Sequence, residues 1–184
     1  MEPEKLSILS LGDGAVGKSS IIRRWVQQDF EQNYVPTIEE LLSKTIKIDG
    51  EMYRVEITDT AGQEEFNQIK YRYMENAEGF FFVFSIIDKK SFNEIEPLYQ
   101  DVQKAKPNGD YYSVIVGNKY DLREENESVP PENPLKLANK LGVKYFNTSA
   151  LTMYNIDEAF NELICGVIKM RKRGGGGCCF IMYL

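Results

Sequence analysis

The 184-residue sequence contains no histidine, only three cysteines and no long hydrophobic run. The absence of histidine excludes Ser-His and Cys-His nucleophilic catalysis and most zinc sites. No apolar segment is long enough to span a bilayer, and the first residues lack the pattern of a secretory signal peptide. Because Cys165, Cys178 and Cys179 have neither metal-binding nor disulfide spacing, we expect a reducing compartment and a cytoplasmic location.

Acidic residues are in excess, and the formal net charge is -6, which argues against general affinity for nucleic acid. The length suits one domain with a sizeable core, and 42% hydrophobic residues is ordinary for a globular protein. Positive charge is clustered near the C-terminus, which indicates a separate task for that end. This basic cluster consists of Lys169, Arg171, Lys172 and Arg173.

A glycine-rich segment near the N-terminus has the form GxxxxGK[ST]. It follows a short apolar strand and precedes apolar residues at helical spacing, the context that a phosphate-binding loop requires. Glycines let backbone N–H groups point at an anion, and the helix adds the positive end of its dipole. Lys18 is predicted to reach the outer phosphates, and the Ser19 hydroxyl is predicted to reach Mg²⁺. The alternative is a glycine-rich turn followed by a solvated lysine.

A second motif, Asp59-Thr60-Ala61-Gly62-Gln63, directly follows a predicted strand. A carboxylate at a strand's carboxyl end lies at the edge where α/β sheets bind ligands, so Asp59 is expected to hold Mg²⁺ indirectly, without contacting the ion itself. Gly62 lets the backbone approach or swing, and Gln63 can orient a water molecule. The alternative is a capped turn with a solvated glutamine.

A third motif, Asn118-Lys119-Tyr120-Asp121, follows another buried strand. The Asp121 carboxylate can accept hydrogen bonds from the N1–H and exocyclic amine of guanine, a pair that adenine does not offer. Asn118 can tie this loop to the phosphate loop, and the stem of Lys119 can lie along the ring. A backbone N–H of Thr148-Ser149-Ala150 could meet the guanine oxygen. The alternative is a polar turn between strand and helix.

The remaining pattern predicts alternating strands and helices, and hence an α/β fold. Asp49-Gly50 predicts a hairpin between two antiparallel strands, and the apolar run 79–86 predicts a buried parallel strand. Two helices are predicted to begin with capping boxes, Ser91 with Glu94 and Asn155 with Glu158.

Together these motifs resemble the small GTPases, most closely the Ras branch, from Lys5 to about Met170. The resemblance implies a P-loop NTPase G domain in residues 1–170. Such a domain has a six-stranded, mostly parallel sheet with one antiparallel edge strand and helices on both faces. Residues 171–184 would form a flexible basic and glycine-rich tail with a cysteine pair.

The same resemblance implies roles for individual residues. Ser19 and Thr37 would ligate Mg²⁺ directly, and Asp59 would do so through water. The catalytic residues would be Gln63, which positions the attacking water, Lys18, which bridges the β- and γ-phosphates, and Gly62, whose N–H senses the γ-phosphate. The implied nucleotide contacts are Gly12, Asp13, Gly14, Ala15, Val16, Gly17, Lys18, Ser19, Ser20, Phe30, Tyr34, Thr37, Gly62, Asn118, Lys119, Asp121, Leu122, Ser149, Ala150 and Leu151.

The function implied by the resemblance is a signalling switch that binds GDP or GTP with Mg²⁺ and hydrolyses GTP slowly. A GTPase-activating protein, an exchange factor and effectors that contact residues 34–42 would be its partners. Some positions depart from the Ras pattern, and these bear on the identity of the effector. Val35 replaces the usual aspartate, Leu41-Leu42 replaces a polar-aromatic pair, and Leu151 replaces a lysine beside the base.

The tail also departs from the pattern. Cys179-Phe180-Ile181-Met182 would be a prenylation box if the chain stopped at Met182, but Tyr183-Leu184 follow it. A Rab-like double-cysteine signal, palmitoylation and an unmodified tail all remain open. One lipid together with the basic cluster would suffice to anchor the protein at the cytoplasmic face of a membrane.

Two other functions compete with a GTP-hydrolysing switch. The first is a nucleotide-bound scaffold that never cycles, which Gly14, Thr37 and Gln63 argue against. The second is an ATP-dependent kinase with the same type of loop, which the guanine-reading Asp121 opposes. Single-turnover hydrolysis separates the switch from the scaffold, and competition between GTP and ATP separates it from the kinase.

Overall fold

The structure is a computed structural model that describes residues 2–27, 39–60, 67–126, 128–172 and 181–182. Strands and helices alternate along most of the chain, as the hydrophobic pattern predicts. In order they are β1 (Glu4–Leu11), α1 (Lys18–Gln27), β2 (Glu39–Ile48), β3 (Glu51–Thr60), α2 (Asn67–Asn76), β4 (Gly79–Ser85), α3 (Lys89–Asn93), α4 (Ile95–Ala105), β5 (Tyr112–Asn118), a 3₁₀ turn (Tyr120–Leu122), α5 (Arg123–Asn126), α6 (Glu132–Leu141), β6 (Lys144–Asn147), α7 (Ile156–Arg171) and β7 (Ile181–Met182).

The strands form one sheet in the order β6-β5-β4-β1-β3-β2-β7. The strands β1, β3, β4, β5 and β6 are mutually parallel, and β2 is antiparallel to β3. The six-stranded, mostly parallel sheet implied by the resemblance is therefore confirmed. The sheet also contains β7, a two-residue strand that pairs antiparallel with the outer edge of β2 and that the sequence did not predict.

The central strand β4 is buried along its whole length, which explains its unbroken apolar sequence. Its side chains alternate between the two faces of the sheet. Phe81 and Val83 join the core beneath α1 and α7, whereas Phe80, Phe82 and Phe84 join the core beneath α2, α4 and α6. Helices therefore cover both faces, as expected for a sheet of this kind.

An aromatic stack fixes α1 and α7 to the first face. The ring of Phe160 lies 4.3 Å from that of Trp25 and 4.6 Å from that of Phe81, and both pairs are close to parallel. All three side chains are fully buried. The phosphate loop leads into α1, so this stack also holds the helix that follows the loop against the sheet.

Both predicted capping boxes are wrong. Asp88, rather than Ser91, caps α3, because its carboxylate accepts from the N–H groups of Lys90 and Ser91 at 2.9 and 3.3 Å. Ser91 is instead buried within the helix. Asn155 does occupy the position before α7, but its amide donates to the carbonyl of Asn147 at 3.0 Å and makes no cap bond. At α3 the neighbouring Asp88 side chain takes the capping role, and at α7 the Asn155 side chain bonds to the end of β6 instead of to the helix.

The end of α7 is tied to the sheet by ion pairs. The Arg171 guanidinium contacts the carboxylates of Glu78 and Glu4 and donates to the Lys5 carbonyl at 2.7 Å. Lys172 lies 2.7 Å from Glu51 at the start of β3. Among the described helices, none combines the length and apolar character that crossing a bilayer requires.

We expect the aromatic stack to carry much of the packing energy of the first face. Phe160→Ala would leave a cavity between Trp25 and Phe81 and should lower the free energy of unfolding by about 3–5 kcal/mol. Leu135→Ala is the control, since Leu135 is largely exposed and its loss should change stability by about 0.5 kcal/mol or less. Urea unfolding at equal nucleotide load measures both, and equal midpoints for the two variants would contradict the role given to the stack.

Candidate functional site

The phosphate loop leaves the carboxyl end of β1 and leads directly into α1. It needs two glycines for space as well as for backbone conformation. A Cβ on Gly12 would lie 2.0 Å from the carbonyl oxygen of Val83, and one on Gly17 would lie 2.3 Å from the Asn118 amide nitrogen. Gly17 also has φ of +97°, which other residues rarely adopt. The loop is therefore packed tightly against β4 and β5.

Lys18 is buried, with only 6% of its surface exposed. Its ammonium donates to the carbonyls of Gly12 and Asp13 at 2.9 and 2.8 Å. Burial lowers the pKa of Lys18, while the nearby charges of Asp59 and Asp13 oppose the shift. The side chain thus folds back over the loop, where the outer phosphates of a nucleotide would meet a poorly solvated positive charge.

Ser19 and Asp59 meet beneath the loop. The Ser19 hydroxyl donates to one carboxylate oxygen of Asp59, which is completely buried at the end of β3. A hydroxyl beside a carboxylate is an all-oxygen donor set, the chemistry that Mg²⁺ prefers. These residues therefore fit the predicted magnesium site, and Thr37, the remaining predicted ligand, lies outside the described residues.

The Asn118 side chain joins three loops at the carboxyl end of β5. It is 2% exposed, and its amide donates to the Val16 carbonyl of the phosphate loop at 2.9 Å. Its oxygen accepts from the Ala150 N–H at 3.3 Å and the Thr148 hydroxyl at 3.4 Å. The predicted tie between the two nucleotide loops is present, and it extends to a third.

The residues predicted to bind guanine also lie together. Lys119 has φ of +67°, a conformation that turns the chain sharply after β5. The Ser149 hydroxyl donates to the Asp121 carboxylate and accepts from the Thr152 N–H at 3.1 Å. Asp121 itself is exposed, so its carboxylate is oriented from one side and open to a ligand on the other.

Several predicted nucleotide contacts surround this core of the site. Ser20 lies in the first turn of α1, Leu122 ends the 3₁₀ turn, and Leu151 is 46% exposed beside Ala150. These contacts stay predictions. The predicted residues Phe30, Tyr34, Thr37, Gly62 and Gln63 fall in 28–38 and 61–66, outside the described residues.

Three supporting residues have no signal in the sequence. The Arg24 guanidinium donates to the Ala150 carbonyl at 3.1 Å and so fixes the last loop to α1. The Lys90 ammonium lies 3.8 Å from the Asp13 carboxylate. Val83 presents the carbonyl that excludes a side chain at Gly12. Each of these contacts joins residues 71 or more positions apart in the chain, a separation at which no local sequence pattern reveals a contact.

Comparison with known proteins gives a consistent result. The Ras family model matches residues 7–169. The Ras-related protein R-Ras of Homo sapiens is 37% identical over 97% of this chain and 88% of its own length. Protein ras-1 of Neurospora crassa is 39% identical over 94% of this chain and 82% of its own. Ras-like protein rasC of Dictyostelium discoideum is 38% identical over 86% and 84%.

We expect Gly17→Ala to weaken guanine-nucleotide affinity by about 10- to 100-fold, because the methyl group strains the backbone and displaces the Asn118 amide. Gly50→Ala is a matched control, since Gly50 has a similar φ of +87° but, in the part of the chain that the structure describes, no atom lies within 4 Å of its Cβ position. Nucleotide dissociation constants, measured with fluorescent GDP, should be unchanged in the control. Equal affinities for Gly17→Ala and the wild-type protein would show that the cradle tolerates a side chain.

Proposed function

The chain belongs to the Ras family of small GTPases, and from this premise we propose which of its residues act in the GTPase cycle and how its partners and a membrane are engaged. As a member of that family it binds GDP and GTP with Mg²⁺, hydrolyses GTP and acts as a nucleotide-dependent switch. The kinase and non-cycling scaffold alternatives are thereby set aside. The observation that carries the proposal is the convergence of Lys18, Asp59 and Asn118 on one loop.

We assign the phosphates, the base and the Mg²⁺ ion of the bound nucleotide to different residues. Backbone N–H groups of the phosphate loop and the Lys18 ammonium hold the phosphates, and Asp121 reads guanine. Ser19, Thr37 and Asp59 would hold Mg²⁺, which neutralises charge on the phosphate oxygens when it is bound. Thr37 and Gly62 are the proposed sensors of the γ-phosphate, so the loops that contain them change when it leaves.

Hydrolysis needs a positioned water molecule, and we assign that role to Gln63. In this account the intrinsic reaction is slow, and an activating protein accelerates it. For Ras itself, the type member of this family, an arginine supplied by such a partner raises the rate by about 10³–10⁵-fold, a known range that we carry over. Gly14 supports the same mechanism here, because it is exposed and no atom of the described residues lies within 4 Å of its Cβ position.

Effectors are proposed to bind residues 34–42, of which the structure describes 39–42 at the start of β2. The strand β2 begins at the end of the sheet where the nucleotide site lies, since Glu39 pairs with Thr60 at the end of β3. The Leu41 side chain is 62% exposed, whereas Leu42 is buried, so one apolar group is presented to a partner. Together with the charge of Glu39 and Glu40, this supports a partner with a basic rim around an apolar contact.

A membrane contact through the tail is the second part of the proposal. The two cysteines, Cys178 and Cys179, would be the lipidated residues. The basic cluster contributes less charge than its sequence suggests, because Arg171 and Lys172 are engaged by Glu78, Glu4 and Glu51. Anchoring at a cytoplasmic membrane face would then depend mainly on the lipid.

Gln63→Leu tests the catalytic assignment. We expect single-turnover GTP hydrolysis to slow by about 10- to 100-fold, because the water is no longer oriented, while GTP affinity stays the same. Gln100→Leu makes the same chemical change at an exposed position of α4 and should leave the rate unaltered. Unchanged hydrolysis in Gln63→Leu would remove Gln63 from the mechanism without affecting the family assignment.

Replacing both tail cysteines tests the membrane contact. In cells, Cys178→Ser/Cys179→Ser should move the protein from the membrane fraction to the soluble fraction, because the lipid attachment sites are lost. Cys165→Ser removes a thiol within α7 and should not change the distribution. If wild-type protein is already soluble, or if the double variant stays at the membrane, the lipid proposal is wrong.

A further inference from the structure

The outer edge of β2 is paired at one end. Beyond the six strands from β1 to β6, β2 would present an open edge of ten residues, and long open edges tend to associate with other chains. Instead, Lys47 pairs with Met182 and Ile48 pairs with Ile181, in antiparallel register. The strand that covers this part of the edge therefore comes from the C-terminal tail of the same chain.

The end of α7 is well placed to deliver the tail to this edge. Lys172, at the end of the helix, lies 2.7 Å from the carboxylate of Glu51, and Glu51 is the β3 partner of Ile48. Ile48 in turn pairs with Ile181. The tail thus leaves the domain next to the strand pair on which it later docks.

The intervening chain is long enough for this return. Residues 173–180 can span roughly 26 Å when extended, whereas neighbouring strands are only about 5 Å apart. Closing so short a loop costs little entropy, and the tether keeps the segment at a high local concentration. A two-residue pair is still weak by itself, so docking is reversible.

The paired end of β2 is remote from the nucleotide. Because β2 is antiparallel to β3, its first residue, Glu39, lies at the end of the sheet that carries the nucleotide site, and Ile48 lies at the opposite end. Lys47 lies six positions after Leu41, which corresponds to about 20 Å along the strand. A tail docked at Lys47 therefore leaves the proposed effector segment open.

We propose that the outer edge of β2 at Lys47–Ile48 is a strand-docking surface whose occupant is the chain's own C-terminal segment around Ile181–Met182. The docking is intramolecular and requires neither a lipid nor a particular nucleotide. While the segment is paired, its backbone is not available to a modifying enzyme or a membrane, so docking opposes anchoring. An extended segment of another protein could use this surface only by displacing the tail.

Disulfide trapping tests the docking directly. In full-length protein with Cys165→Ser, Cys178→Ser and Cys179→Ser, the pair Lys47→Cys/Met182→Cys places two thiols directly opposite each other. The control pair is Ser43→Cys/Met182→Cys, because Ser43 lies four residues earlier on the same face of β2, about 13 Å away. We expect the first pair to form an intramolecular disulfide at least about tenfold faster under mild oxidation, since pairing brings its thiols into contact.

Equal rates for the two pairs would overturn the proposal, because a tail without a preferred site would reach both positions. A disulfide formed mainly between two molecules would also overturn it, since the tail would then occupy a second copy. Both variants should keep bound nucleotide and GTP hydrolysis. A negative result would therefore reflect on the tail and not on the GTPase assignment.

Amide hydrogen exchange gives a second measurement without cysteines. In an antiparallel strand, consecutive N–H groups face opposite neighbours, so either Lys47 or Ile48 donates toward the tail. Ile181→Pro and Met182→Pro each remove one tail N–H, and the variant that loses the N–H facing β2 should accelerate exchange of that amide by about 2- to 10-fold, the loss of one net hydrogen bond. Gly175→Pro places the same residue in the glycine spacer and should have no effect. Unchanged exchange in both tail variants would contradict docking.

Discussion

The buried amide of Asn118 holds the nucleotide site together. Its nitrogen donates to Val16 in the phosphate loop, and its oxygen accepts from Thr148 and Ala150 after β6. Because the side chain is almost completely buried, any bond left unmade would incur a desolvation penalty of about 1–3 kcal/mol. The Asn118 side chain therefore fixes the spacing of the three loops, and with it the distance between the phosphate and base subsites.

The parallel sheet makes this arrangement possible. The strands β1, β3, β5 and β6 point the same way, so the four motifs that follow them meet at one edge. The same geometry places the Lys18 ammonium close enough to the Asp59 carboxylate for the two charges to attract each other, at a place that is largely shielded from water. Each of these two charges therefore faces an opposite charge from another strand end, while Lys18 also donates to the Gly12 and Asp13 carbonyls of its own loop.

The two ends of β2 have different surroundings and, in our proposals, different partners. At the Glu39 end the strand begins beside the nucleotide and exposes Leu41. At the Ile48 end it lies beside Glu51, which binds Lys172, and it pairs with the tail. The ion pairs of Arg171 and Lys172 that weaken the basic cluster as a membrane contact also fix the point from which the tail departs. In these proposals, Arg171 and Lys172 therefore affect both the membrane anchoring of the tail and its docking on β2.

The sequence by itself determined the fold class, the order of the strands along the chain and the position of each nucleotide motif, because glycine spacing, strand-end carboxylates and apolar runs are local signals. It also predicted the Asn118 tie, since the residue type and its place after a buried strand suffice for that inference. Its capping predictions failed at Ser91 and Asn155, because Asp88 caps α3 in place of Ser91 and Asn155 donates to the Asn147 carbonyl instead of capping α7.

Only the tertiary structure decided which distant groups support the site and where the tail lies. The contacts of Arg24 with Ala150, of Lys90 with Asp13 and of Met182 with Lys47 join residues far apart in the chain. The physical reason is that each is a single polar or backbone contact between elements whose relative positions are set by the packed core. No periodicity or motif in either partner records such a contact.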